Sequence, residues 1–283
     1  VPELPEAETI ARGLSRRVRG QKIAAVEVVH PDVLREPPRR FAEKVRGRTI
    51  RSVGRRGKNV LLELDGGDVL AVNLGMTGRL LLARAPRARG GSAQHPAVRF
   101  RFRSGDALVF DDVRRFGTVE CLSREQWMAR SERIGPEPLS REFSAAGLFQ
   151  ALSNSRAPVR SWLLDQRRLA GVGNIYANEA LFLARIHPST PARALARKDA
   201  VRLHRALGRV LRRAIRAGGT TLRDYRNADG RKGRYGPQLL VYGRTGEPCF
   251  RCGTTIGRVV FGARSAFYCP RCQPLRENTE ERV

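Results

Sequence analysis

The chain has no apolar run of about 18 residues, the length a membrane-spanning helix needs, so no membrane span is predicted. It has no signal peptide either: charges are scattered through its first thirty residues, where export would require an unbroken apolar segment. A cytoplasmic location in a bacterial cell is the expectation. Cysteine is scarce. The five present are odd in number, and four crowd the C-terminal end, which argues against a disulfide framework and for metal in a reducing compartment. The fifth, Cys121, reads as a small buried apolar residue. Acid is the other shortage, with 27 Asp and Glu against 54 Lys and Arg and a net charge of +27. So strong an excess points to a polyanionic partner, nucleic acid first. A ribosomal protein or a membrane-surface binder is also basic, but such chains are shorter or more disordered, and this one alternates strand-like and helix-like patterns.

What is present fits two or three domains, since 283 residues exceed one small core. The stretch AETIARGLSRRVRG reads as a helix. The runs KIAAVEVV, NVLLELDG, DVLAVNLG, RLLLAR, AVRFRFRSG, ALVFDD and TVECL read as strands separated by glycine-containing breaks. The pattern predicts two packed sheets with one helix supplied by the start, and a flexible loop at 85–94. The segment IGPEPLS at 134–140 reads as a boundary, with Ser140 capping the next helix. Helical periodicity then runs to about residue 217. In its last helix Leu203, Leu207, Val210 and Ala214 form one face, while Arg202, Arg205, Arg209, Arg212 and Arg216 form another that reads as solvated. Residues 218–237 read as a mobile linker whose Thr220, Thr221 and backbone amides are placed to contact a base. The resulting fold class is α+β and multidomain. Residues 1–134 form an N-terminal β-sandwich with a leading helix and 135–227 a helical domain; 228–283 hold a flexible loop and a C-terminal β-hairpin zinc ribbon.

Three constellations carry chemistry. The first is the opening Val1-Pro2-Glu3-Leu4-Pro5-Glu6, an unpromising start for a strand or helix but a good one for an amine nucleophile. An α-amino group has a pKa of about 8 against about 10.4 for lysine, so roughly a tenth of it is neutral at pH 7. Neutral amines attack carbonyl-type carbons and form Schiff bases. If residue 1 is removed, Pro2 presents a secondary amine whose iminium has no N–H to lose, with Glu3 beside it to carry protons. A GUG start codon written literally as valine accounts for Val1, since the methionine actually placed there is removed before proline.

The second is Cys249-x2-Cys252, sixteen residues, then Cys269-x2-Cys272. Two such knuckles supply four thiolates for one structural Zn²⁺; a rubredoxin-like iron site is the alternative. Two strand-like runs between the knuckles form a hairpin with Arg264 at its turn. The third is LLDQRRLAGVGNIYANEALF at 163–182, where Gly171 and Gly173 precede a helix beginning at Asn174. Such a turn presents backbone N–H groups to an anion such as a DNA phosphate.

The opening PELPEAETIARGL resembles the start of the formamidopyrimidine-DNA glycosylases, the Fpg branch of the Fpg/Nei family; the endonuclease VIII branch usually opens Pro-Glu-Gly. The segment at 163–182 resembles that family's helix–two-turns–helix motif, and the likeness extends from Pro2 to Cys272. It implies a base-excision-repair glycosylase that removes oxidised purines (8-oxoguanine, formamidopyrimidines) from duplex DNA. It also implies AP lyase activity by β,δ-elimination through a Schiff base on the N-terminal proline, one structural zinc and a monomer.

The catalytic set it implies is Pro2, Glu3, Lys58 and Arg264, with Glu6 in support. DNA is contacted by His95, Asn174 and Arg167, while Met76, Arg114 and Phe116 fill the gap left by an extruded nucleotide. That last role is physically sound, because a flipped base leaves a void in the stack. Val113, Ala97, Ala263 and Ala266 depart from the family pattern, and the loop GRKGRYGP is more basic than usual; all but Val113 bear on DNA grip or lesion choice. Two alternatives remain: an endonuclease VIII-like preference for oxidised pyrimidines, and a non-catalytic DNA-binding zinc protein.

Overall fold

The computed structural model describes residues 2–85 and 93–275. Val1 and most of the segment expected to be a loop at 85–94 lie outside the described residues. The chain divides into two compact units, residues 1–133 with 214–236 and residues 134–213 with 237–283.

In the first unit, α1 (Leu4–Val18) begins within the opening motif itself. The two prolines do not obstruct it. Pro5 lies in the first turn, where a backbone N–H has no intrahelical acceptor to lose, and Glu3 is the N-cap. The α1 face of Ala7, Ile10, Leu14 and Val18 is buried. Antiparallel strands then form two four-stranded sheets. One has the order β1 (Ile23–Val28), β6 (Pro96–Phe102), β7 (Ala107–Asp111), β5 (Arg79–Ala83). The other has the order β2 (Ile50–Arg56), β3 (Asn59–Leu64), β4 (Val69–Asn73), β8 (Thr118–Leu122).

Period-two alternation sets the register: Val60 pairs with Val72 and Leu62 with Leu70, which turns all four side chains into the core. Val98, Phe100, Leu108 and Phe110 from the other sheet join the same core, as does α1. Cys121 is buried there, and burial, followed by the charge of Asp68, pushes its thiol up to about 11.

Three elements of this unit carry no clear period in the sequence: β2, α2 (Pro38–Val45) and α3 (Arg124–Glu132). The leading helix is therefore one of three α-helices that lie wholly within the unit among the described residues. β2 buries only Ile50 fully, α2 buries only Phe41 and Val45, and α3 buries nothing. A further difference concerns residues 218–237, expected to be mobile, of which 218–236 belong to the first unit. They are held by the first unit. Leu82 N–H donates to the Ala228 carbonyl at 3.0 Å, Arg79 Nε donates to the Asp224 carbonyl at 2.8 Å, and Arg17 pairs with Asp229. Tyr225 and Ala228 enter the core. Two apolar residues suffice to fix a polar segment too short to show periodicity.

The second unit is helical, with α4 (Ala145–Ser153), α5 (Val159–Leu164), α6 (Asn174–Ala184) and most of α7 (Arg197–Arg216), followed by the hairpin β9 (Gly257–Phe261) and β10 (Arg264–Tyr268). The cap of α4 is Ser144, which accepts from Gly147 N–H at 3.0 Å, and not Ser140. Ser140 instead accepts from Phe143 N–H within the preceding turn. On α7, Leu203, Leu207, Val210 and Ala214 are buried, and Arg205, Arg209, Arg212 and Arg216 are exposed. Arg202 is half-buried and donates to the Ala184 carbonyl.

Candidate active site and nucleic-acid contacts

The first cluster forms at the start of α1. Pro2, Glu3 and Glu6 are all buried, the two carboxylic side chains to 1% exposure. Glu6 sits one turn into the helix and works in two directions. Its Oε2 accepts from the Glu3 backbone N–H at 2.8 Å, and its Oε1 accepts from the Thr220 N–H at 2.7 Å. The segment thought to be a linker is thereby tied to the opening motif. Gly219 makes the approach possible. Its φ is +88°, and a Cβ there would lie 2.9 Å from both Glu6 Oε1 and the Tyr225 ring. Burial, and then the Glu6 charge, push the Tyr225 phenol above its ordinary value, so Tyr225 stays neutral.

Lys58 stands in the turn between β2 and β3. Arg55 braces that turn, donating from Nη1 to the Gly57 carbonyl and from Nε to Glu8 on α1, both at 2.9 Å. Burial pushes the Glu8 carboxyl up, but hydrogen bonds and charge from Arg55 and Arg12 outweigh it and hold the group below the ordinary range. The turn bearing Lys58 is thus linked to the helix that begins at Glu3.

A second cluster forms where two loops of the first unit meet. Met76 is 40% exposed and Phe116 58%, with Arg114 also exposed and its guanidinium 4.5 Å from the Phe116 ring centre. Beneath them Asp112 is buried. Its carboxylate accepts from Gly117 N–H at 2.9 Å, from Arg114 N–H at 3.3 Å and from the Thr77 hydroxyl. His95 is exposed, and its backbone N–H donates to Asp111.

The second unit holds its own cluster. Gln166 shapes the glycine turn, accepting from Gly171 N–H and donating to the Val172 carbonyl, both at 2.8 Å. Asn174 follows at the start of α6. Its Oδ1 accepts from Arg160 Nη2 at 2.7 Å, and its Nδ2 donates to the Ser265 carbonyl at 3.0 Å. Asn178, one turn on, accepts from Phe267 N–H at 2.7 Å. These bonds fix the β9–β10 hairpin to α6 and set the position of Arg264, which is exposed beside the turn Gly262-Ala263. Arg160 is buried and stacks over Phe261. Burial, and then the charge of Arg264, push its pKa down. Arg167 is exposed and paired with Asp165 on its own turn.

The zinc ribbon is anchored by Glu179, buried on α6, which accepts from the N–H groups of Leu240, Val241 and Tyr242 at 2.8 to 3.0 Å. Burial pushes its carboxyl up, and the three donors oppose that shift. The thiols of Cys249, Cys252, Cys269 and Cys272 all lie within 4.8 Å of one another. Cys252 Sγ is 3.4 Å from Cys269 Sγ and 3.5 Å from Cys272 Sγ. Four sulfurs at about 2.3 Å from a tetrahedral Zn²⁺ would be about 3.8 Å apart, so the donor set fits one structural zinc.

The predicted residues thus fall into groups: Pro2, Glu3 and Glu6; Met76, Arg114 and Phe116; Asn174 with Arg264; and the four cysteines. Three residues that hold these groups in place, Gly219, Asp112 and Arg160, carry no signal in the sequence, because they act through partners distant in the chain or through the backbone. Thr220, expected to contact a base, instead gives its N–H to Glu6.

Comparison with known proteins gives family matches along most of the chain. The formamidopyrimidine-DNA glycosylase N-terminal domain matches residues 1–119, the formamidopyrimidine-DNA glycosylase H2TH domain 134–226, and the zinc finger found in FPG and IleRS 246–275. A formamidopyrimidine-DNA glycosylase of Chloroflexus aurantiacus is 43% identical over 281 residues, covering 99% of this chain and all of that protein. The crystal structure of the MutM (Fpg) protein of Thermus thermophilus superposes with a TM-score of 0.86 at 42% identity, over 98% of this chain and all of that one. The Lactococcus lactis Fpg in complex with abasic-site DNA gives a TM-score of 0.89 at 35% identity, over 96% and 99%.

Proposed function

The chain belongs to the formamidopyrimidine-DNA glycosylase family, and from that premise we propose how its own residues perform base excision and an accompanying strand cleavage. It is a DNA glycosylase of base excision repair with one structural zinc. Its substrate is duplex DNA carrying oxidised purines. A cytoplasmic location accords with its bacterial relatives, and no helix among the described residues is long and apolar enough to cross a membrane.

The proposed nucleophile is the Pro2 nitrogen, which requires that residue 1 be absent from the mature chain. The observation that carries the reading is the buried start of α1, where Pro2 and Glu3 sit side by side and Glu6 holds the Glu3 backbone. The Pro2 lone pair attacks C1′, the bond from C1′ to the base breaks, and the base leaves with a proton. The Pro2 nitrogen gives up its N–H proton, the sugar ring opens, O4′ takes a proton, and C1′ becomes an iminium on Pro2. Glu3 handles the protons at the sugar. The cationic iminium acidifies the C2′ hydrogens, so loss of one expels the 3′ phosphate, and a second elimination expels the 5′ phosphate. Lys58, Asn174 and Arg264 serve the DNA backbone, with Arg167 and His95 as outer contacts. Met76, Arg114 and Phe116 fill the space of the extruded nucleotide. Zinc holds the ribbon and takes no part in the chemistry.

Borohydride reduction during reaction with an 8-oxoguanine duplex tests the nucleophile. The expected result is a covalent protein–DNA adduct that disappears when the N-terminal amine is blocked. A blocked protein that is still trapped would assign the attack to a lysine. Glu3→Gln keeps shape but cannot shuttle a proton, and is expected to slow excision by roughly 10²- to 10⁴-fold while duplex binding persists.

A further inference from the structure

We propose that Asp112 and Thr77 are positioning residues that join the loop bearing Met76 to the loop bearing Arg114 and Phe116, so that the three side chains enter DNA as one rigid wedge. This rests on the reading of those three as fillers of the vacated space. Apolar side chains held out in water need support from below, because a free loop would fold them back or leave them mobile. The supply of support here is specific. Asp112 is 1% exposed and Thr77 8%. Among the described residues no cation pairs with the Asp112 carboxylate, and its partners are N–H and O–H donors. It accepts from both ends of its own loop, Arg114 and Gly117. It also accepts from the Thr77 hydroxyl, one residue from Met76. Thr77 Oγ1 in turn accepts from Arg114 N–H at 3.2 Å. Two side chains therefore close a ring of hydrogen bonds across the two loops.

The backbones meet as well. Gly75 has φ +55°, and a Cβ on it would lie 2.5 Å from Gly117 N and 2.6 Å from the Phe116 carbonyl carbon. A Cβ on Gly117 would lie 2.6 Å from the Asn73 carbonyl oxygen. Both glycines are needed for this approach. Arg115 holds a left-handed φ of 54° without being glycine, and its Nε donates to Asp32 at 2.6 Å. A strained residue tied down on one side and a buried carboxylate on the other leave the loop one conformation. The arrangement costs nothing further when DNA arrives, which is the value of preorganisation.

The test uses full-length, zinc-loaded enzyme and single-turnover excision of 8-oxoguanine from a duplex, beside cleavage of the same duplex carrying a ready-made abasic site. An abasic nucleotide has no base to draw out of the stack and demands less of the wedge. Asp112→Asn and Thr77→Val are expected to slow excision by about tenfold, the equivalent of one hydrogen bond to a charged group. Abasic cleavage should stay within about threefold of the parent, and Thr77→Ser, which keeps the hydroxyl, should restore excision. Because Asp112 acts through the three wedge side chains, adding Asp112→Asn to a Met76→Ala, Arg114→Ala, Phe116→Ala triple variant should slow excision by no more than about threefold beyond that triple variant alone, since coupled residues do not add. Losses that multiply, equal slowing of the abasic substrate, or a Thr77→Ser variant as slow as Thr77→Val would overturn the proposal. If Asp112→Asn does not fold, the Thr77 pair decides. A Met76→Ala variant with parental excision would instead remove the wedge reading itself, a result separate from these.

Discussion

The Glu6 carboxylate reaches a residue 214 positions away: one oxygen takes the Thr220 N–H, and the other takes the Glu3 N–H. The chemistry of Pro2 and Glu3 is legible in the sequence because it is local, an amine beside a carboxylate at a chain start. The role of Gly219 is not, because its reason lies in space: a positive φ and a Cβ that would strike Glu6 and Tyr225. The same holds for Asp112, one of many acidic residues until the loops are seen to meet over it. Gly219→Ala tests this residue-scale account. The substitution forces a strained φ and pushes Glu6 away from Thr220, so it should destabilise the first unit by about 1–3 kcal/mol. It should also slow excision, since Glu6 holds the Glu3 backbone. Chemical denaturation beside a single-turnover assay reads both effects, and a variant with parental stability and rate would show that the close approach relaxes freely.

Elements were legible in proportion to how much of them is buried. β3 alternates buried and partly exposed residues and β7 is buried throughout, and both stand where the hydrophobic pattern places them. β2 is Arg-rich with one fully buried side chain, and α3 has none, so neither leaves a period to read. The ribbon is the opposite case. Its hairpin has alternating exposed positions along β9 and few apolar neighbours beyond Val241, Ile256 and Phe182, yet thiol spacing reveals the ribbon, and two strand-like runs between the knuckles reveal the hairpin. With so small a core, metal binding supplies the folding energy, on the order of 10–16 kcal/mol for structural zinc sites. Cys252→Ser leaves three thiolates and should lose both zinc and the ordered hairpin. The loss should reach Arg264 and Asn174, because the hairpin meets α6 through Ser265 on Asn174 and Phe267 on Asn178, and weaken DNA binding. Zinc content and duplex affinity measured on the same preparation check it; full zinc with full affinity would refute the assignment.

At the scale of the whole molecule, the charge of +27 overstates what DNA meets. If every excess cation neutralised a phosphate, log K would fall against log salt with a slope of about −24, at roughly −0.9 per contact. Ion pairs such as Arg48–Asp65, Arg55–Glu8 and Arg130–Glu120 already cancel within that net figure, so the excess sits on unpaired cations. Many of these lie on solvated faces, as the α7 arginines do along an exposed helix face. The cations assigned to DNA are few: Lys58, Arg264, Arg114 and Arg167. A footprint of that size gives a slope of about −3 to −5. Lys58→Ala should reduce its magnitude by about one and weaken binding equally on all duplex sequences, because a phosphate contact carries no base identity. Affinity measured across a salt series, on lesion-bearing and undamaged duplexes, separates the possibilities. A slope far steeper than −5 would mean that the α7 stripe joins the footprint, and a flat response would contradict phosphate-led binding. A Lys58→Ala loss confined to lesion-bearing DNA would move Lys58 from the backbone to the reacting nucleotide.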